Sequence, residues 1–278
     1  MVAVILVGLL TGCMTARPVE DEIQPSQVAG TPVGGLEADP STIWKPGLRT
    51  SFQWQLSGEV DLSPEVEVYD IDLFDQDARL VAELHTRGRR VICYINVGSW
   101  EDWRPDKDLF PPAVIGKKYQ GWPGERWLDI RQIAILAPII RARFDLCKAK
   151  GFDAIEPDNI DGYTNTTGFP LTYQDQLNYN IWLANEAHAR GLSIGLKNDP
   201  DQVPDLLPYF DWALAEDCFT DGWCEQFEPF VSAGKAVFAV EYTDSDIRLD
   251  EFCLLAESLN FNAIYKNREL DSSRQACR

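Results

Sequence analysis

Residues 142–159 read ARFDLCKAKGFDAIEPDN. A segment rich in Ala, Leu and basic residues runs up to Gly151, where a helix would stop in a left-handed cap with Lys148 and Lys150 near the negative end of its dipole. An apolar strand follows at once and finishes in carboxylates, and the next residues, NIDGY, have the character of a turn. Asp153, Glu156, Asp158 and Asp161 therefore crowd into one strand and its exit.

The same order of helix, glycine, strand and polar end recurs in AELHTRGRRVICYINVGSW (82–100), ANEAHARGLSIGLKND (184–199) and FVSAGKAVFAVEYTD (230–244), with Gly88, Gly191 and Gly234 in the place of Gly151. SFQWQLSG, VEVYDIDLF, DWALAEDCF and FNAIYKNREL supply further strands and bring the count to eight. Strands alternating with helices imply a parallel sheet with helices outside it, and eight units predict an α/β fold of the closed (β/α)8 TIM-barrel type in one domain. An open doubly wound sheet is the alternative, but no G-x-G-x-x-G follows the first strand.

A barrel places its active site where the carboxyl ends of the strands meet. Polar residues concentrate there: Asp70 and Asp72, Asn96 and Ser99, Glu156, Asp158 and Asp161, Lys197, Asn198 and Asp199, Glu216 and Asp217, Glu241 and Tyr242, Lys266 and Asn267. The two histidines, His85 and His188, precede helix-ending glycines on the opposite face, which argues against a His triad or zinc site and for helix capping. No C-x-x-C spacing and no complete EF-hand ladder is present, so neither a metal nor a cofactor is expected.

Carboxylate chemistry remains. Glycoside hydrolysis needs two acids across the scissile bond, and Asp and Glu on different strand ends could supply them. Trp54, Trp100, Trp103, Trp122, Trp127, Trp223, Tyr163 and Tyr242 lie in or beside the expected rim, where flat rings stack on sugars; core packing is the competing account, strongest for Trp54.

DAIEPDNIDGY, VICYINVGSWE, GLKND and ALAEDC, in this order, resemble glycoside hydrolase family 114, the endo-α-1,4-polygalactosaminidases, over residues 44–270. The resemblance implies a (β/α)8 barrel without metal and retaining cleavage of α-1,4-linked galactosamine or N-acetylgalactosamine polysaccharide. It assigns Asp158 as nucleophile and Glu216 as acid/base, with Asp72, Tyr94, Asn159, Lys197, Asn198, Tyr242 and Lys266 as candidate substrate contacts. Glu156 shares the alternation phase of Asp158 and could replace it, Asp161 could cap a helix, and Asp217 competes with Glu216. Another α-galactoside, or polysaccharide binding without catalysis, are the alternative functions.

With 44 acidic and 25 basic residues the formal net charge is −19, which disfavours nucleic acid and favours a cationic polymer. The apolar run Val2 to Leu10 and the LTGC that follows resemble a lipobox, although no Lys or Arg precedes the run. Residues 1–12 are thus expected to be a lipoprotein signal peptide, Cys13 the lipidated residue, 13–41 a flexible tether rich in Pro and Gly, and 42–278 the catalytic domain of an exported, membrane-anchored monomer. Of the six other cysteines, Cys218 is expected to pair with Cys224 and Cys253 with Cys277. Cys93 and Cys147, both in apolar segments, are left open between a bridge and free buried thiols.

Overall fold

The computed structural model describes residues 43–278; the expected signal peptide, Cys13 and the whole of the expected tether lie outside them. Among the described residues twelve strands are present: β1 (Phe52–Gln55), β2 (Val68–Asp72), β3 (Arg90–Asn96), β4 (Ser99–Glu101), β5 (Ile115–Lys118), β6 (Glu125–Leu128), β7 (Ala154–Asp158), β8 (Ser193–Lys197), β9 (Trp212–Glu216), β10 (Val237–Tyr242), β11 (Asn262–Lys266) and β12 (Gln275–Ala276). Seven α-helices accompany them among the same residues: α1 (Ala78–Thr86), α2 (Ile133–Lys150), α3 (Tyr173–Ala189), α4 (Val203–Leu206), α5 (Cys218–Asp221), α6 (Glu228–Ser232) and α7 (Leu249–Ser258). None of the described helices is long and apolar enough to cross a membrane.

Eight strands pair in parallel in the order β1-β2-β3-β7-β8-β9-β10-β11, a TIM-barrel arrangement, and β12 adds antiparallel to β11. No ladder joins β11 to β1. That seam is bridged by the chain after β11: Leu56 and Ser57 donate N–H to Leu270 O at 2.9 and 3.1 Å, Gln53 Nε2 reaches Ser272 O and Arg274 Nε reaches Phe52 O.

Two apolar clusters follow from strand alternation. Residues of even number, among them Phe52, Val68, Ile92, Ala154, Trp212, Leu214, Phe238, Val240 and Ile264, fill the barrel interior. Their odd-numbered neighbours, such as Ile71, Cys93, Ile155, Ala213 and Ala239, face the helices, whereas on β8 the parity is reversed and Ile194 faces the helices while Gly195 abuts the interior Trp212. On α2 the residues Leu136, Ile140, Phe144 and Cys147 repeat at helical spacing and are buried. Gly88, Gly151, Gly191 and Gly234 all have positive φ at the ends of helical segments, as the repeated unit requires.

The helical layer is less regular than eight identical units would make it. Residues 56–67 after β1 and 267–278 after β11 contain no helix, and α4, α5 and α6 are one turn or little more. A three-stranded antiparallel sheet, β4-β6-β5, interrupts the repeat after β3. It was not legible because its strands are short and lack sustained alternation. Disulfides join Cys218 to Cys224 and Cys253 to Cys277, and the open question over Cys93 and Cys147 resolves as a third bridge, from the outer face of β3 to α2.

Candidate active site

Even-numbered parity carries Asp70, Asp72, Tyr94, Asn96, Glu156, Asp158, Glu216, Tyr242 and Lys266 toward the barrel axis, the odd parity of β8 carries Lys197 there, and the parallel direction gathers their strand ends at one mouth. At its centre stands Lys197. Its ammonium contacts Glu156 Oε1 at 2.9 Å, Asp158 Oδ1 at 3.0 Å and Glu216 Oε2 at 2.9 Å, and it lies 4.7 Å from the Trp54 ring centroid. The place that three carboxylates would offer a cation is thus filled by the protein's own.

Access separates the acids. Glu156 is fully buried beneath the ammonium, whereas Asp158 and Glu216 keep 19% and 23% of their side chains exposed. Asp158 also accepts from Tyr94 Oη at 2.7 Å and from the N–H of Asn159 at 2.9 Å. Burial pushes its proton affinity up, but Lys197, Tyr94 and Asn159 outweigh that and hold it below the ordinary aspartate value. Glu216 accepts a hydrogen bond from Tyr242 Oη, and its backbone N–H donates to Asn198 Oδ1 at 3.0 Å.

Three successive strand ends share one backbone device. Asn159 follows Asp158, Asn198 follows Lys197 and Asp217 follows Glu216, each with φ between 51° and 60°. Asn and Asp enter this left-handed region more easily than other non-glycine residues, and the turn ends each strand directly after its inward-facing charged side chain. Gly98 makes the first turn possible: its backbone lies so close to Asn159 that a Cβ would fall 1.6 Å from the Asn159 carbonyl oxygen.

Below the ammonium, Asp70 is 1% exposed and neither of its oxygens meets an N–H or O–H donor; Glu156 Oε2 is likewise without one. A proton shared between the two carboxyls satisfies both. Burial, followed by the Glu156 charge, holds Asp70 far above the ordinary aspartate value, and burial pushes Glu156 up to about 7 against the pull of Lys197.

The remaining sequence candidates lie as follows. Asp72 is buried in a bidentate pair with Arg104 at 2.9 and 2.6 Å and also accepts from the Phe74 and Asp75 N–H groups. Lys266 is fully buried and donates to Asp271 O at 2.6 Å, with burial lowering it to about 8. Asp217 pairs with Arg268, whose guanidinium lies 4.1 Å from the Tyr242 ring centroid. Asp161 is near enough to Asp158 and Glu216 to feel both, and burial with Asp158 raises it to about 6. Asp153 and the histidines belong to the opposite face, where Asp153 meets His85 and Arg90, and His188 meets Asp211. Glu241 points outward and binds the Phe219 N–H and the Thr220 hydroxyl at the start of α5.

The β4-β6-β5 sheet hangs at the mouth and adds residues the alternation pattern does not reach. Glu125, raised to about 7 by burial and then by the Asp158 charge, accepts from Ser99 Oγ at 2.8 Å, and Asn96 Nδ2 donates to Ser99 Oγ at 2.5 Å. Tyr119 stacks on Trp127 at 4.7 Å. Trp103 and Trp122, in the loops of this sheet, are half exposed, whereas Trp54 is core.

The family model of glycoside hydrolase family GH114 matches residues 35–278. Among solved structures, Aspergillus fumigatus Ega3 in complex with galactosamine is 39% identical, covering 84% of this chain and 97% of its own, with a TM-score of 0.80. The glycoside hydrolase domain of PelA from Pseudomonas aeruginosa has 11% identity, coverage of 81% and 98% and a TM-score of 0.64. The α-galactosidase TtGalA from Thermus thermophilus has 13% identity, coverage of 82% and 60% and a TM-score of 0.51. At those identities the last two bear on the fold alone. No curated protein matches the chain.

Proposed function

The chain belongs to glycoside hydrolase family GH114, and from that premise we propose that it is a retaining endo-glycosidase acting on α-1,4-linked galactosamine or N-acetylgalactosamine polysaccharide. The observation that carries the reading is the pair of solvent-reaching carboxylates, Asp158 and Glu216, held on one ammonium. Sharing Lys197 keeps their nearer oxygens within about 6 Å of each other, a separation that suits direct attack better than insertion of a water.

Asp158, kept ionised by Lys197, Tyr94 and Asn159, attacks the anomeric carbon while Glu216 gives its proton to the departing glycosidic oxygen. Glu216, now a carboxylate, then takes a proton from water, whose oxygen displaces Asp158 and restores the starting anomer. Two inversions give net retention. Tyr242 and Asn198 orient Glu216 through both steps.

The galactosamine bound to the 39% identical relative supports the substrate class, as does an acidic mouth that would attract ammonium groups. Trp103 and Trp122 suit stacking against a chain that extends past the cleavage point, as endo action requires. The three disulfides fit an oxidising compartment, and with them the assignment of 1–12 as signal peptide, Cys13 as lipid anchor, 13–41 as tether and 42–278 as a monomeric catalytic domain.

The test is incubation with acetylated and de-acetylated α-1,4-polygalactosamine, with products read by mass spectrometry and the first-formed anomer by proton NMR. Oligomers of retained configuration, absent from Asp158→Asn and Glu216→Gln, are expected. Monosaccharide release would overturn the endo assignment, and a folded parent inert on both polymers would overturn the substrate.

A further inference from the structure

At the end of the barrel opposite Asp158 and Glu216, the β1/β11 seam leaves a cavity of about 240 Å3 lined by Arg49, Arg274, Arg278, Asn262 and Glu67 among others. Three guanidiniums converge on it, and none has a carboxylate partner among the described residues. Arg274, half buried, gives Nε to Phe52 O at 2.8 Å; Arg278 donates to Asn260 Oδ1, Asn262 Oδ1 and Leu48 O; Arg49 has no hydrogen bond or ion pair among the described residues. Glu67, the acid on the lining, is engaged by Ser51 N–H and Oγ at 2.9 and 3.2 Å.

Asn262 anchors one of these arginines. It is 4% exposed, its Oδ1 accepts from Arg278 at 2.9 Å, and its Nδ2 has no partner. The Arg278 bond sets the orientation of the amide and steadies one of the guanidiniums on the lining. A half-buried cation without a counter-charge, as Arg274 is, is costly, and a ligand oxyanion beside it relieves that cost. In a chain of net charge −19 this local excess of positive charge runs against the composition.

We propose that this cavity binds a phosphate group. Guanidiniums match tetrahedral oxyanions in bidentate geometry. The phosphate can come from a soluble ion or from the headgroup of an anionic lipid. The site is independent of the glycosidase reading.

The experiment uses the full chain with Arg49→Gln, which breaks no bond among the described residues, and Arg274→Gln. Thermal midpoints are followed in inorganic phosphate against chloride of equal ionic strength, and co-sedimentation is measured with phosphatidylglycerol and phosphatidylcholine vesicles. A phosphate-specific rise, with affinity weakened about tenfold or more in the variants, supports the site and a soluble source. Binding to phosphatidylglycerol alone, lost in the variants, supports the site and a lipid source. No phosphate-specific rise and no variant-sensitive vesicle binding, or a phosphate response the variants leave unchanged, would overturn it.

Discussion

Lys197 places its ammonium 2.9 Å from Oε1 of Glu156, and neither side chain is open to solvent. Below this contact lies Asp70, and above it the two exposed acids. One cation thus holds the whole column.

Lys197→Met keeps the length of the side chain and removes its charge, leaving Glu156 and Asp158 uncompensated. Loss of one partner from a buried charge pair costs about 3–5 kcal/mol. Urea unfolding should show that loss, and hydrolysis should fall with it. An unchanged midpoint would mean that the column does not depend on its cation.

Asp70→Asn should stabilise the protein at neutral pH. Burial and Glu156 raise Asp70 in the folded state, so the fold retains a proton that the unfolded chain releases above about pH 4. Stability from this group is therefore complete below that pH and declines as pH rises toward the folded value. Asparagine cannot ionise and still offers Glu156 an N–H. Denaturation curves of parent and variant should coincide near pH 4 and separate as the pH rises toward 7, the variant being the more stable. Parallel pH dependence would refute the shared proton.

Tyr94→Phe removes the 2.7 Å bond to Asp158 Oδ2 and little volume. Asp158 should then hold its proton more tightly, moving the acid limb of the kcat/KM profile upward by about one pH unit. The pH–rate profile checks this, since a purely structural loss would lower the curve without shifting it.

Gly98→Ala should cost more than an ordinary glycine replacement. The Asn159 carbonyl, 1.6 Å from the added methyl, is backbone and has to move, taking the Asp158 turn with it. We expect a loss of about 3 kcal/mol or more together with most of the activity. Thermal unfolding beside an activity assay measures both.

Added salt should slow hydrolysis of de-acetylated polymer more than that of fully acetylated polymer, because only the former is drawn by charge to the acidic mouth. Rates on both polymers across a salt series provide the comparison. An equal decline would remove steering from the account.

Alternation within each strand was legible along the chain, as the four glycine-ended units show, and with it the parity that sends Asp158, Lys197 and Glu216 inward. These features are local: they follow from backbone geometry over a few residues. The depth of a side chain in the barrel is not local, because it depends on how eight strands stagger against one another. Glu156 and Asp158 share a strand and a face, yet packing around the axis buries the first completely and leaves the second at the mouth. For the same reason Asp72 reads like a free strand-end acid until Arg104, brought from the β4-β6-β5 excursion, occupies both its oxygens. Sequence by itself determined the repeated unit and the strand ends on which charge would gather. Tertiary structure decided the Lys197 contacts, the Cys93–Cys147 bridge and the bridging of the β1/β11 seam, since each joins residues whose distance is set by the curled sheet and not by their spacing along the chain.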